Sequence, residues 1–326
     1  MAFINAEPKK INENLSGLDR VRPTKKANIF NTFKRDHQLW LMILPAIVVI
    51  VIFNYIPMYG IQLAFREFDF TKGFTGGEWV GLKYFDQFIH NYMFKDLMKN
   101  TVTISLATII LGFPAPIIMA LIINQVFWKR WKKTLQTTVY LPHFISMVVM
   151  VGLLNVLLSP ETGVVGHLMK ALGFGDINLL ASEKTFVPVY VLSDIWQHAG
   201  WNSIIYLAAL ASVDPQLYDS AKIDGASRWQ TIRYVDLPAI VPTMIILFIL
   251  SMGNILNTGF EKIFLMQNPL NLPVSEVIAT YVYKIGIISS QFSYSAAIGL
   301  FNTLINFIFL LAMNTIAKRF SNISLW

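Results

Sequence analysis

Residues 217–240 read LYDSAKIDGASRWQTIRYVDLPAI, the most polar run in the second half of the chain. Long apolar segments flank it on both sides. Asp214-Pro215, just before it, is a helix start. The Asp side chain can cap free amide groups, and Pro is tolerated at the first helical position because its missing N–H would be unpaired there. Residues 216–224 contain no helix breaker. Gly225 then allows the positive backbone angle that ends a helix at little cost. Ser227 can cap a second short helix through Val235, and Pro238 sets the path into the next apolar segment. The insert predicts helix, glycine turn, helix, then a membrane span.

The surrounding chain has the composition of an integral membrane protein. Of its 326 residues, 55% are hydrophobic and 14% charged, against about 25% charged in a soluble domain. Mean hydropathy is +0.52. The net charge of +7 suits cytoplasmic loops rich in Lys and Arg rather than nucleic-acid binding. With no cysteine in the chain, disulfides, thiolate metal sites and cysteine nucleophiles are excluded.

A spanning helix needs about 20 largely apolar residues. Six windows qualify: residues 39–64, 101–125, 134–159, 186–211, 237–258 and 294–317. Long unbroken apolar runs favour helices over a closed barrel, whose strands alternate with period two. The 39–64 window is too long for a signal peptide and lacks a cleavage site, so it reads as a retained helix. The predicted fold class is all-α integral membrane, with six transmembrane helices over 39–317. A basic N-terminal tail covers 1–38, a helix–turn–helix loop 212–238, and a C-terminal tail 318–326. Seventeen of the 26 Lys and Arg residues fall in the two tails, in 126–133 and in the 212–236 loop; the alternate loops hold nine. By the positive-inside rule both termini and the insert are cytoplasmic. Pro114 and Pro116 should kink the second span. In the external loop 259–293, Val277, Ile278, Tyr281, Val282 and Ile285 share one helical face. That suits a helix lying on the membrane or packed against the spans.

Leu217, Ala221 and Ile223 are apolar on the first helix of the insert, and Trp229, Ile232 and Tyr234 on the second. Lys222, Arg228 and Arg233 mix with Asp219, Asp224 and Asp236. Two readings accommodate this pattern. One is a helix docked in a groove on a cytoplasmic partner, with apolar anchors and a charged rim. The other is an interfacial helix with nothing bound. The spacing carries further information, because the run resembles the EAA loop of binding-protein-dependent ABC importer permeases. That pattern is Glu-Ala-Ala, three residues, Gly, nine residues, then Ile-x-Leu-Pro. Here Asp219-Ser220-Ala221 stands at the first three positions, Gly225 at the glycine, and Val235 at the isoleucine, followed by Leu237-Pro238. Asp219 keeps the carboxylate on a shorter arm, and Ser220 departs from alanine. The stretch AKIDGAS (221–227) adds Asp224, Gly225 and Ala226, a core usual in sugar permeases, with Arg228 just beyond. GLKYFDQF (81–88), YLPHFIS (140–146), WQHAGWNSIIYLAALASVDPQLY (196–218) and TYVYKIGI (280–287) look like the carbohydrate-uptake members, so the resemblance covers about residues 35–326.

The resemblance implies a permease of an oligosaccharide or polysaccharide-fragment importer in a bacterial cell membrane. It implies three partners: a second homologous permease, completing a heterodimer; a cytoplasmic ABC ATPase dimer; and an extracellular solute-binding protein. ATP and Mg would be bound by the ATPase, since this chain has no G-x-x-x-x-G-K-[ST] phosphate loop and no cofactor or metal site of its own. The chain would be a transport subunit and not an enzyme. Alternatives are an ABC permease for a non-sugar solute and an ion-coupled secondary carrier. The latter would want carboxylates at mid-membrane, and Asp194, near the outer end of the fourth window, is the sole acid in any window. A membrane enzyme would need clustered His, Asp or Glu.

Sugar contacts combine hydrogen-bonding side chains with aromatic faces, and polar groups within spans often face a cavity. The fourth window offers Asp194, Trp196, Gln197, His198, Trp201 and Asn202; the third offers Asn155; the fifth, Asn254 and Asn257. Each has a competing role. Asp194 can reach headgroups, the tryptophans can belong to the interfacial aromatic belt, and the asparagines can bond between helices. His143, beside Pro142, reads as a packing or capping residue.

Overall fold

The computed structural model describes residues 37–73, 76–173, 175–321 and 324–325. Two compact units divide the chain, Met1–Tyr59 and Gly60–Trp326. The expected N-terminal tail lies outside the described residues except for His37 and Gln38, which already belong to helix α1 (His37–Phe65). The most apolar stretch of 18 residues in that helix has a mean hydropathy of 2.5, and none of the side chains of its first stretch, His37–Ile50, is buried. An apolar exterior is what hydrocarbon surroundings allow.

The second unit is built from α2 (Lys83–Ile89), α3 (Phe94–Asn124), α4 (Lys129–Phe144), α5 (Met147–Leu157), α6 (Val164–Ala171) and α7 (Glu183–Ala211). These are followed by α8 (Pro215–Ile223), α9 (Arg228–Met252), α10 (Phe260–Met266), α11 (Leu272–Ser275), α12 (Ile278–Ile288) and α13 (Phe292–Ser321). Among the described residues the only extended pairings are two isolated bridges, Arg66 with Trp79 and Asp69 with Gly73. Helix α7 is the axle. Its Phe186, Tyr190 and Val191 join a core with Ile104 of α3, Val151 of α5 and Ile263 of α10. Farther along, its Tyr206 and Leu210 meet Ile117 and Ala120 of α3 and Ile240 of α9. A third core joins Phe88, Leu97, Ile278, Tyr281, Tyr294 and Ile298 across α2, α3, α12 and α13. The amphipathic helix expected near 277–285 is therefore packed against the spans.

By length and apolarity α1, α3, α9 and α13 each qualify to cross a membrane, and the α4–α5 pair makes a fifth if it is one span. Helix α7 is long enough at 29 residues, but its polar residues keep it out of that group. Several expectations change. The window 134–159 is not one straight helix: α4 and α5 meet at a bend of 98°, where Pro142 lies in a tight turn, Ile145 is extended and Ser146 caps α5. Pro114 and Pro116, expected to kink the second span, lie within α3 where its winding changes. A wide π-turn over Thr108–Gly112 precedes Pro114; the enlarged turn accommodates the missing N–H and the ring that would clash in a regular helix. The second helix of the insert does not stop at Val235 either. It runs on as α9 through another π-turn, Ile232–Asp236, placed just before Pro238. Lys318 and Arg319, expected to begin a tail, occupy the last turn of α13, where cations favour the helix dipole.

Candidate functional site

The insert closes as its residues require. Asp214 accepts a hydrogen bond from the Gln216 amide at 2.9 Å, and Pro215 takes the first helical position. At the other end of α8, Gly225 has φ +71°. The Ala226 amide donates to the Ala221 carbonyl at 2.9 Å and the Gly225 amide to the Lys222 carbonyl at 3.1 Å. This paired bonding is the Schellman closure, which needs a residue at positive φ. Ser227 and Gln230 then form a reciprocal capping box at the start of α9. Nothing lies within 4 Å of a Cβ built on Gly225, so its backbone angle, not space, calls for glycine.

The turn presents an outer face. Asp219, Ser220, Asp224, Gly225, Arg228 and Pro238 are exposed, while Ala221, Ala226 and Leu237 are half-buried. Asp219 pairs with Lys222 at 3.1 Å in solvent. Ile223 is 86% and Trp229 70% exposed, an unusual outlay of apolar surface on a polar loop. The Arg228 guanidinium stands 4.6 Å from the centre of the Phe127 ring, which ties the loop to the α3–α4 connection.

Two insert residues missing from the expected site form its inner face. Asp236 is fully buried, and Tyr218 donates to its Oδ1 at 2.6 Å. Burial and the bond to Asp236 push the Tyr218 phenol up to about 12, so it stays protonated and donating at neutral pH. A signal for Asp236 was present in the sequence: a bare carboxylate at the mouth of an apolar span needs a partner.

A second region lies between the spans. Helices α3, α7 and α9, with the residues after α9, enclose two adjoining cavities of about 330 and 240 Å³. Thr108, Ile109, Asp194 and Ser251 line both. His198 and Asn202 line the first, and Asn254 and Asn257 the second. Three buried hydroxyls on or beside these walls, Ser105 Oγ, Thr108 Oγ1 and Thr258 Oγ1, have no hydrogen-bond partner among the described residues. Asn257 accepts from Asn302 of α13 at 3.0 Å and donates to Asn254 at 3.2 Å.

Asp194 does not reach outward. Its Oδ1 is 3.3 Å from Lys262 Nζ and 3.5 Å from His198 Nδ1. Lys262, expected in an external loop, is 1% exposed, because α10 folds back against α5 and α7. Its ammonium also donates to the Tyr190 carbonyl at 3.0 Å and sits 4.7 Å from the centre of the Tyr190 ring. Periodicity could not reveal this pair, since its members are 68 residues apart.

Four expected contact residues lie elsewhere. Asn155 bonds to the Val151 carbonyl of its own helix. Trp196 lines a separate, apolar cavity of about 470 Å³ with Met150, Leu154 and Leu192. Gln197 donates to the Ile145 carbonyl at 3.0 Å and so satisfies a backbone acceptor freed by the α4–α5 break. Trp201 stacks on His143 with ring centres 4.5 Å apart. Gln197 and Trp201 thus brace the break. No group of three His, Cys, Asp or Glu suited to a metal occurs among the described residues.

Residues 112–322 match the family model described as "Binding-protein-dependent transport system inner membrane component". The chain is 42% identical over 296 residues to the polygalacturonan/rhamnogalacturonan transport system permease protein YteP of Bacillus subtilis (strain 168), covering 91% of this chain and 92% of that one. To protein LplB of the same organism it is 40% identical, covering 88% and 90%. Its fold matches a chain from the crystal structure of a bacterial ABC transporter involved in the import of the acidic polysaccharide alginate. The TM-score is 0.81 and the identity 40%, over 90% of this chain and 99% of that one. A second structure, of a bacterial alginate ABC transporter with its alginate pentasaccharide-bound periplasmic protein, matches with a TM-score of 0.82 and 39% identity, over 91% and 99%.

Proposed function

The chain belongs to the family of binding-protein-dependent transport system inner membrane components, and on that premise we propose that it forms half of the path by which an ATP-driven importer moves an acidic oligosaccharide. As a member it is a multi-pass membrane transport subunit and not an enzyme. A second, homologous permease completes the path, and a binding protein outside the membrane delivers the sugar. A cytoplasmic ATPase dimer binds the ATP and Mg. The insert faces that ATPase, with both termini on the same side, and α7 counts as a sixth span with its polar residues turned inward.

The observation that carries this reading is the insert itself. A linker between spans has no need of two caps, a Schellman closure and exposed Ile223 and Trp229; a docking element has need of all of them. The residues at the EAA positions divide the labour. Ala221, Gly225 and Ala226 shape the turn, while Asp219, Ser220, Asp224 and Arg228 are presented to the partner. Closure of the ATPases moves the helix pair and the spans behind it, a rigid-body transition that gives alternating access.

Similarity to permeases named for polygalacturonan, rhamnogalacturonan and alginate supports an acidic sugar. The space formed by the two adjoining cavities, lined by Asp194, His198, Asn202, Asn254 and Asn257, suits it chemically. It offers amides and hydroxyls to sugar hydroxyls, and its one carboxylate is already offset by Lys262 and His198, so an incoming uronate meets no unpaired negative charge. The test is to reconstitute the chain with its copurifying subunits and add binding protein loaded with a uronate oligosaccharide. ATP hydrolysis and uptake should both rise. Uptake driven by an ion gradient in the absence of the ATPase overturns the reading.

A further inference from the structure

We infer that Asp236 is a positioning residue, a buried latch that holds the docking helix α8 in register with α3 and α9. Asp236 lies within the continuous helix α9, and it is fully buried. An acid in a helix interior and out of water is costly unless donors surround it. Here they come from two other elements. Tyr218 of α8 donates its hydroxyl to Oδ1 at 2.6 Å. Asn124, the last residue of α3, donates to the same oxygen at 3.3 Å, and Gln125, its C-cap, donates to Oδ2 at 2.8 Å. Lys132 of α4 reaches Asn124 Oδ1 at 3.5 Å and so orients that amide.

The geometry makes a three-way joint. Both carboxylate oxygens are used, and they gather the coupling helix, the cytoplasmic end of α3 and the start of the apolar part of α9 at one point. Its partners among the described residues are neutral donors rather than a cation, so the joint is directional: each bond fixes an angle, where an ion pair would tolerate sliding. Tyr218 sits on the inner face of α8, opposite the exposed apolar residues proposed to dock. A push on the outer face is thereby passed to two spans together. Without the latch, α8 could yield to the ATPase while α3 and α9 lag behind.

The inference rests on the reading of α8 as the element the ATPase moves. Its test measures ATP hydrolysed per sugar imported in proteoliposomes carrying the complete transporter, for the unmutated chain, Tyr218→Phe, Asp236→Asn and the double variant. Loss of one buried bond should raise that ratio about threefold or more in each single variant, while the ATPase still copurifies in the normal amount. The double variant should be no worse than the poorer single one, because both changes open the same joint. Tyr218→Phe removes one oxygen and leaves Asp236 two donors, so it decides the matter alone if Asp236→Asn fails to insert. An unchanged ratio in a normally assembled Tyr218→Phe transporter overturns the latch, as do independent, multiplying effects in the double variant. If the unmutated chain neither binds nor stimulates an ATPase, the coupling reading itself fails, which is a distinct result.

Discussion

Gly225 shows how one residue sets the turn between α8 and α9. Its φ of +71° lies in the left-handed region, where an ordinary side chain costs about 1–3 kcal/mol. Open space around the position means that size is not the objection. Gly225→Val should therefore abolish uptake while the protein still inserts, and Gly225→Asn, whose side chain tolerates this region, should keep a substantial share of it. Uptake by valine and asparagine variants to the same extent would show that the turn angle is unimportant. The contrast with Gly200 is instructive, since there the backbone is ordinary and the constraint is contact.

Among the elements, the broken helix α4–α5 and its brace on α7 stand apart. A Cβ on Gly200 would lie 1.9 Å from the Val139 carbonyl oxygen, backbone against backbone, so neither side can give way cheaply. Gln197 and Trp201 flank this contact and hold Ile145 and His143. Gly200→Ala should lower the melting temperature of the purified permease by an amount corresponding to about 1–3 kcal/mol. Gly152→Ala, at a helical glycine with nothing within 4 Å, should leave it unchanged or raise it slightly. Equal effects of the two would remove the close approach as the reason for glycine at 200. The π-turns make a related point. At Pro57, Pro114 and Pro238 the chain widens one turn ahead of the ring and carries the helix through, which is why proline marked a change of winding and not an end.

At the scale of the whole molecule the charge distribution carries a topological expectation. The chain has no cysteine, so single cysteines report sidedness without background. In spheroplasts, a membrane-impermeant maleimide should label Asp176→Cys, in the exposed connection before α7, without permeabilisation. It should label Ser220→Cys only once the membrane is opened. The reverse pattern would invert the molecule and remove the insert from reach of a cytoplasmic ATPase.

What was legible in the amino-acid order was local or periodic. Apolar runs of bilayer length, the Lys and Arg bias of alternate loops, and the Asp214, Gly225 and Ser227 signals at 212–238 each depend on neighbours within a few residues, so they survive without a fold. Candidate cavity residues were partly legible for the same reason. His198 and Asn202 lie one turn apart and both line the first cavity, but helical spacing equally sets Asp194 with Gln197 and Trp201, and of those three only Asp194 lines it. What the sequence left undecided is where distant segments meet. Gln197 and Trp201 share that helix and its chemistry, yet they serve the α4–α5 break, because only packing determines which side of α7 faces α4. Lys262 falls outside every apolar window, and nothing near it in the chain foretells the return of α10 to Asp194. Asp236 gains its meaning from Tyr218, Asn124 and Gln125, brought together from separate helices. Short-range chemistry by itself determined the apolar runs, the caps and the turn at Gly225; tertiary structure alone decided how one of those runs breaks and which buried polar groups find one another, because a charge out of water must be satisfied by whatever the fold places beside it.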